Sequence, residues 1–333
     1  MRKNWKTILG ILVSAVFLYL AFRRVDAGGL REAFASADYR FVVPSMLLVM
    51  ASVVIRSLRW RFLLKPVKRI GPASLFSATM IGLTANNLLP ARLGEFVRAY
   101  AIGIKENISK SSSLATIVVE RIFDGFTLLL FLAVIALFRS GEFPPWLRSS
   151  AYIAFAFYIC ALVLLVLLKI RTSLALRAAA ILTRPLPDRF GERIIHLLES
   201  FAGGLRILHS AGDVLAASVL SLLVWLPYVL LIHLLLGSFG IALPVYVSFL
   251  LLVAMGIGVM IPSAPGFIGT IQFVCVAVLA AFSVAGDQAL SFSIIYHACT
   301  FVPVTATGLV YLLVEGISLA DIRTSSGTPG ARD

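Results

Sequence analysis

Long apolar stretches separated by short polar connections dominate the chain, and the longest approach the length of a bilayer crossing. Phe126–Phe138 with its preceding turns, Ala151–Leu168, Val214–Leu236 and Leu290–Val314 are the clearest. A helix needs about 20 apolar residues to cross hydrocarbon, because lipid offers no partner to an unbonded backbone group. The pattern predicts helices over 7–22, 40–56, 114–138, 151–169, 213–236 and 289–314. Two further apolar segments are interrupted, 73–89 with 92–104 and 245–261 with 266–285. The expected fold class is all-α, a polytopic integral membrane protein of about six full spans plus two re-entrant or broken helix pairs. A single membrane domain is expected over 1–315, with halves near 1–150 and 151–315, followed by a disordered tail over 316–333.

Composition supports this and excludes a soluble domain. Hydrophobic residues make up 60% and charged residues 14%, against about half and about a quarter in ordinary soluble domains. The net charge of +13 does not indicate nucleic acid. Lys and Arg cluster in the connections between spans, where membrane insertion and anionic headgroups select them. Arg2, Lys3 and Lys6 precede an apolar run, but Phe22-Arg23-Arg24 follows instead of a small-residue cleavage site, which predicts an uncleaved first helix. Cys160, Cys275 and Cys299 lie in apolar segments without ligand spacing. They read as packing residues, and neither a metal nor a cofactor is expected.

The loops then set the topology. The N-terminus, the 56–69 connection (Arg56, Arg59, Arg61, Lys65, Lys68, Arg69) and the 169–206 connection hold sixteen Lys and Arg; the opposite loops hold six. That bias predicts cytoplasmic N- and C-termini in a cell inner membrane. It survives along the chain only if 73–104 enters and leaves on the cytoplasmic side and 245–285 on the outer side. Two hairpins dipping from opposite faces imply an inverted repeat. Their tips, Asn86–Glu95 and Ile261–Thr270, share Pro-x-x-x-Gly, with Pro90 and Pro265 175 residues apart. Proline removes a backbone donor and glycine permits close approach, so both suit a helix break. Chance would also produce a two-residue match. Broken helices at matching positions in two halves point to a transporter's substrate site.

Segment 171–212 holds a Pro185-Leu186-Pro187 linker and, over Arg189–His209, apolar residues on a helical period. An amphipathic helix on the cytoplasmic leaflet and a soluble helix packed on the bundle both fit.

Ionised groups deep in a bilayer cost about 2.5–3.5 kcal/mol each on insertion scales, so they need partners or a polar cavity. Arg92, Glu95 and Arg98 share one face of the first hairpin's second arm, at spacings of three. Glu120, Arg121 and Asp124 lie near the start of a long apolar helix. The two sets balance, three Arg against three acids, and are expected to face each other. Glu120, Arg121 and Asp124 read best as a structural ion network. For Arg92 and Glu95 two readings stay open, the same network or substrate contact; Arg92 or Arg98, left free, could grip an anionic headgroup bidentately. Asn86 and Asn87 can bond freed backbone groups or substrate. The second hairpin offers Ser263, Thr270 and Gln272, and a helix starting at Gly266 would aim its positive end into the membrane. His233 and His297 read as packing or interhelical hydrogen bonds. No catalytic motif appears, and no enzyme is expected.

The strings Asn86-Asn87-Leu88-Leu89-Pro90-Ala91-Arg92-Leu93-Gly94-Glu95-Phe96-Val97-Arg98 and Glu120-Arg121-Ile122-Phe123-Asp124 resemble the membrane region of lysylphosphatidylglycerol synthases, over most of 5–315. That resemblance implies a flippase-like transporter moving an anionic lipid or lipid-linked headgroup between leaflets of the bacterial inner membrane. It implies a stand-alone member without the soluble synthase domain, hence no lysyl transfer. Relatives usually carry Pro-Gly-Gly-x-Gly and then Glu in the second hairpin; here it is Pro265-Gly266-Phe267-Ile268-Gly269, with Gln272 where the acid is expected. The competing readings are a membrane-embedded transferase with Glu95 or Asp124 as base, and an accessory scaffold for a lipid-modifying enzyme. Expected partners are membrane lipids, anionic ones foremost, and no nucleic acid. A second copy of the chain and a lipid-modifying enzyme remain open.

Overall fold

The computed structural model describes residues 5–89, 93–139, 171–183, 211–261 and 263–316, Arg24 excepted, with isolated positions between them. These residues form α1 (Trp5–Phe22), α2 (Ala27–Ser36), α3 (Val42–Leu64, entered through a 3-10 turn at Tyr39–Phe41), α4 (Pro72–Leu88), α5 (Gly94–Glu106) and α6 (Lys110–Arg139). After them come α7 (Thr172–Thr183), α8 (Ala211–Ser238), α9 (Val245–Gly258), α10 (Thr270–Ala280) and α11 (Gly286–Val314). No strand occurs among the described residues, so the all-α class holds.

Among the described residues, three helices are long and apolar enough to cross a membrane by length and composition: Tyr39–Leu64, Gly212–Ser238 and Gly286–Val314. At 1.5 Å per residue the last is about 43 Å long, well beyond a hydrocarbon core of about 30 Å. α6, with 30 residues, is as long, but carries charges along its length. The expected span over 151–169, the Arg189–His209 helix and the tail beyond Gly316 lie outside the described residues or almost wholly so. The short α2, which the apolar pattern did not announce, is capped by Asp26 accepting from the Gly29 N–H at 3.0 Å.

Both interrupted segments fold as antiparallel hairpins. In the first, α4 opens with Pro72 at its first position. It stops at Leu88 because Leu89, one residue before Pro90, takes an extended conformation. A Cβ on Gly94 would lie 2.1 Å from the Gly82 carbonyl oxygen, so the arms touch backbone to backbone. In the second, α9 and α10 meet through Gly258 against Val274 and Met255 against Cys275. Arms of 11 to 17 residues reach about 16–25 Å, too short to cross alone.

The hairpins enter from opposite ends of the bundle. The base of the first lies with the ends of α3 and α11, where Lys68 pairs with Glu106, Lys105 with Glu315, and Phe76 packs on Tyr311. The base of the second lies with the start of α3 and the end of α8. There the Asp38 N–H donates to the Ser238 carbonyl and Tyr246 packs on Phe282. Helix neighbours repeat accordingly. α3 packs on α4 as α8 does on α9, α5 on α6 as α10 on α11, and α4 on α11 as α9 on α6, with α3 and α8 joined across the centre. That is the inverted arrangement which the loop charges required.

Two boundaries differ from expectation. α3 runs on to Leu64, eight residues past the expected end at Arg56, because Arg56 and Arg59 are buried against acids and do not terminate it. The second arm of the second hairpin begins at Thr270, not Gly266. Gly266, Phe267 and Gly269 all have positive φ, at 74°, 59° and 89°, and form a tight irregular tip. Gly269 is confined by α1: a Cβ there would sit 2.5 Å from the Ser14 carbonyl oxygen.

Candidate functional site

Four arginines and two acids meet in the first half of the bundle. Asp124 accepts from Arg59 at 2.7 Å and Arg56 at 3.0 Å, and Glu120 accepts from Arg98 at 2.9 Å and Arg56 at 3.2 Å. Arg121 joins through Glu120 at 3.1 Å and Asp124 at 3.4 Å. Trp225 Nε1 and Ser221 of α8 bond Asp124 and Arg59 respectively. Arg98 also stacks on the Trp60 ring, 3.8 Å from its centroid, which stabilises a buried guanidinium.

The composition of this cluster departs from expectation. Arg56 and Arg59, read as loop residues, are in it; Glu95 makes no ion pair among the described residues, and Arg92 lies outside them. Arg98 is spent on Glu120 and Trp60. The expected balance of three against three is therefore replaced by four cations against two acids, an excess of two positive charges among the described residues. Glu120 and Asp124 sit near the middle of α6, because that helix starts at Lys110 rather than 114. The signal that could have found Arg56 and Arg59 was present: they follow an apolar run without any helix-stopping residue until Pro66.

Beside this cluster is a cavity of about 210 Å³. Arg56 and Arg121 form its charged wall, and Trp225, Tyr228, Tyr296 and Phe301 its aromatic one. The first hairpin contributes Asn86 and Asn87, the second Gly266 and Phe267, so the two tips meet here. The four longest described helices line it near their midpoints: Arg56 on α3, Arg121 on α6, Trp225 on α8, Thr300 on α11. The Arg121 side chain keeps 34% exposure, whereas those of Arg56 and Arg98 keep 6% and 5%. Arg121 is thus the most exposed cation of the network.

Most other predicted residues hold the tips together. Asn86 accepts from the Gly94 N–H at 2.8 Å, bonding backbone freed at the break, and Asn87 donates to Thr305 at 2.8 Å. Gln272 accepts from the Gly269 N–H at 2.8 Å and its amide lies 3.1 Å from His297 Nδ1. Its own side chain does not line the cavity, but it fixes one that does, since His297 faces the cavity. Ser263 and Thr270 do not line it; both hydroxyls are buried without a partner among the described residues.

Comparison with known proteins agrees with this architecture. Residues 7–308 match the family described as the lysylphosphatidylglycerol synthase TM region. The chain belongs to that family and is a multi-pass membrane protein. A UPF0104 membrane protein of Methanothermobacter thermautotrophicus is 22% identical, the match covering 94% of this chain and 96% of the relative. The UPF0104 membrane protein MJ1595 of Methanocaldococcus jannaschii is 23% identical with the same coverage. The glycosyltransferase AglD of Haloferax volcanii is 24% identical over 94% of this chain but only 55% of its own length.

Proposed function

We propose that this member of the lysylphosphatidylglycerol synthase TM family is a flippase-like transporter, not an enzyme, that carries an anionic lipid or lipid-linked headgroup across the inner membrane. The observation that carries the reading is the excess of two positive charges beside a cavity at the midpoint of the long helices. An uncompensated cation at that depth is costly, and an anionic headgroup repays the cost by pairing with it. Arg121 meets the phosphate first, Arg56 lies behind it, and the acyl chains stay in lipid. Hairpins inserted from opposite ends give such a site two faces from which it can open. Both termini lie in the cytoplasm in this scheme.

The test is leaflet transfer of labelled phosphatidylglycerol in proteoliposomes. Arg121→Gln should lower the rate at least tenfold while the protein purifies and elutes as the wild type does. A variant that transfers at the wild-type rate would remove Arg121, and with it the cavity, from the mechanism.

A second reading, work on a lipid-linked substrate as a transferase or beside one, is favoured by the relative named a glycosyltransferase. Asp124 is a poor base for it, being held by Arg56 and Arg59. Conversion of a labelled lipid-linked sugar by the purified chain would establish this reading in place of the first.

A further inference from the structure

A second concave site lies apart from the cavity, on the outside of the bundle where α3 ends against the first turns of α8. It measures about 490 Å³ and is lined by Leu58, Arg61, Phe62, Lys65, Arg69 and Leu220. Leu58, Arg61, Phe62 and Lys65 are three or four residues apart, so they share one face of the closing turns of α3. Arg61, Lys65 and Arg69 are exposed, and none of their side chains makes an ion pair or hydrogen bond among the described residues. Nearby cations do find partners: Lys68 has Glu106, and Arg56 and Arg59 have Glu120 and Asp124. No acid is among the described residues lining the groove. Like charges one turn apart repel, and an anion held between them removes that cost.

The apolar side of the groove says which kind of anion. Leu58 and Leu220 face it, and Val54, one turn before Leu58, and Leu223, three residues after Leu220, are 45% and 42% exposed. α3 and α8 run antiparallel, as Ser52 to Val224 and Arg59 to Ser221 show. Both leucine-to-neighbour steps therefore lead the same way, from the cations toward the bundle's middle. Charge at the bundle end and a bare apolar strip running inward match a phosphate at the headgroup layer with its acyl chains along the helices.

We infer that this groove holds one intact anionic phospholipid, gripped at its phosphate by Arg61, Lys65 and Arg69. The assignment does not rest on transport through the central cavity. Delipidated full-length protein is titrated with phosphatidylglycerol and, separately, with phosphatidylcholine, and bound lipid is counted by native mass spectrometry. The wild type should retain one phosphatidylglycerol more per chain than the triple variant Arg61→Ala, Lys65→Ala, Arg69→Ala. Each single substitution should weaken that lipid roughly fivefold. Phosphatidylcholine should not replace it, and excess glycerol phosphate should not displace it.

Equal phosphatidylglycerol retention by wild type and triple variant overturns the assignment. So does displacement by glycerol phosphate, which would mean a site for a free phosphate. Should the triple variant fail to fold, photoactivatable phosphatidylglycerol on the wild type decides: cross-links within 54–69 support the groove, and their absence, with another part of the chain or a second copy covering it, overturns it. Arg121→Gln keeps the groove lipid whether or not it stops leaflet transfer, so the two readings fail separately.

Discussion

The two hairpin halves have the same plan and opposite chemistry. Around the first, polar groups are ionised and compete for partners: four arginines share two acids. Around the second, the roles fall to neutral groups and backbone. Gln272 bonds Gly269 and reaches His297, three residues with positive φ shape the tip, and prolines lie inside α8 at 227 and α11 at 303. His297 of α11 and Arg121 of α6 both line the cavity, each about a dozen residues from its helix start. Symmetry of packing therefore does not bring symmetry of charge. In the proposed transport cycle, the first half would supply attraction for an anion and the second a neutral wall.

The largest test of that contrast is the buried acid. Asp124→Asn removes one of two charges that compensate four arginines, and breaking a buried pair in this way costs about 3–5 kcal/mol. Thermal unfolding in detergent should show it, and Thr300→Val, at a corresponding depth on α11, should cost only about 1 kcal/mol, since its hydroxyl bonds only carbonyls of its own helix. Equal losses would mean that the charged half is no more dependent on its polar groups than the neutral one.

Glycines give the next effect. Gly94→Ala drives a methyl against the Gly82 backbone and should cost about 1–3 kcal/mol. Gly258→Ala meets side chains rather than backbone, Val274 at 2.7 Å and Thr270 at 3.6 Å, so its loss should be visibly smaller in the same melt. A larger loss at Gly258 would reverse the assignment of the tighter hairpin.

Gln272→Leu strands the Gly269 N–H and removes one of the His297 partners, at about 1–2 kcal/mol. With a single cysteine introduced by Ile268→Cys or, separately, by Leu89→Cys, labelling of the second tip should rise while that of the first tip stays unchanged. A rise at both tips would show that they move as one body.

The smallest effect belongs to the exposed pair at the first hairpin's base. The Ser74 hydroxyl, then Lys68, hold the Glu106 carboxyl below its usual range. Its contribution is present above the ordinary carboxylate pKa and fades as the pH falls through the lowered value. Lys68→Ala should therefore cost under about 1 kcal/mol at neutral pH and less in strong acid, where only the Lys68 bond to the Glu106 carbonyl oxygen is left, read from melts at the two pH values.

Apolar run lengths, two proline–glycine breaks and the placement of Lys and Arg were enough to anticipate an all-α membrane bundle with hairpins entering from opposite ends. Those features act locally or through the surrounding solvent: a segment is long enough to cross or it is not, and proline ends a helix wherever it falls. Partner choice among charges is different. Arg56 and Arg59 look like the basic edge of a span until α3 is seen to continue beside α6, where Glu120 and Asp124 claim them. Arg98, Asn86 and Gln272 were visible as unusual residues, but their partners lie 22, 8 and 25 positions away. No spacing rule links such pairs, because the distance between two helices is set by how every other helix packs. The folded bundle thus settled what the linear order left open, namely which arginines share the two acids and which two of them line the cavity.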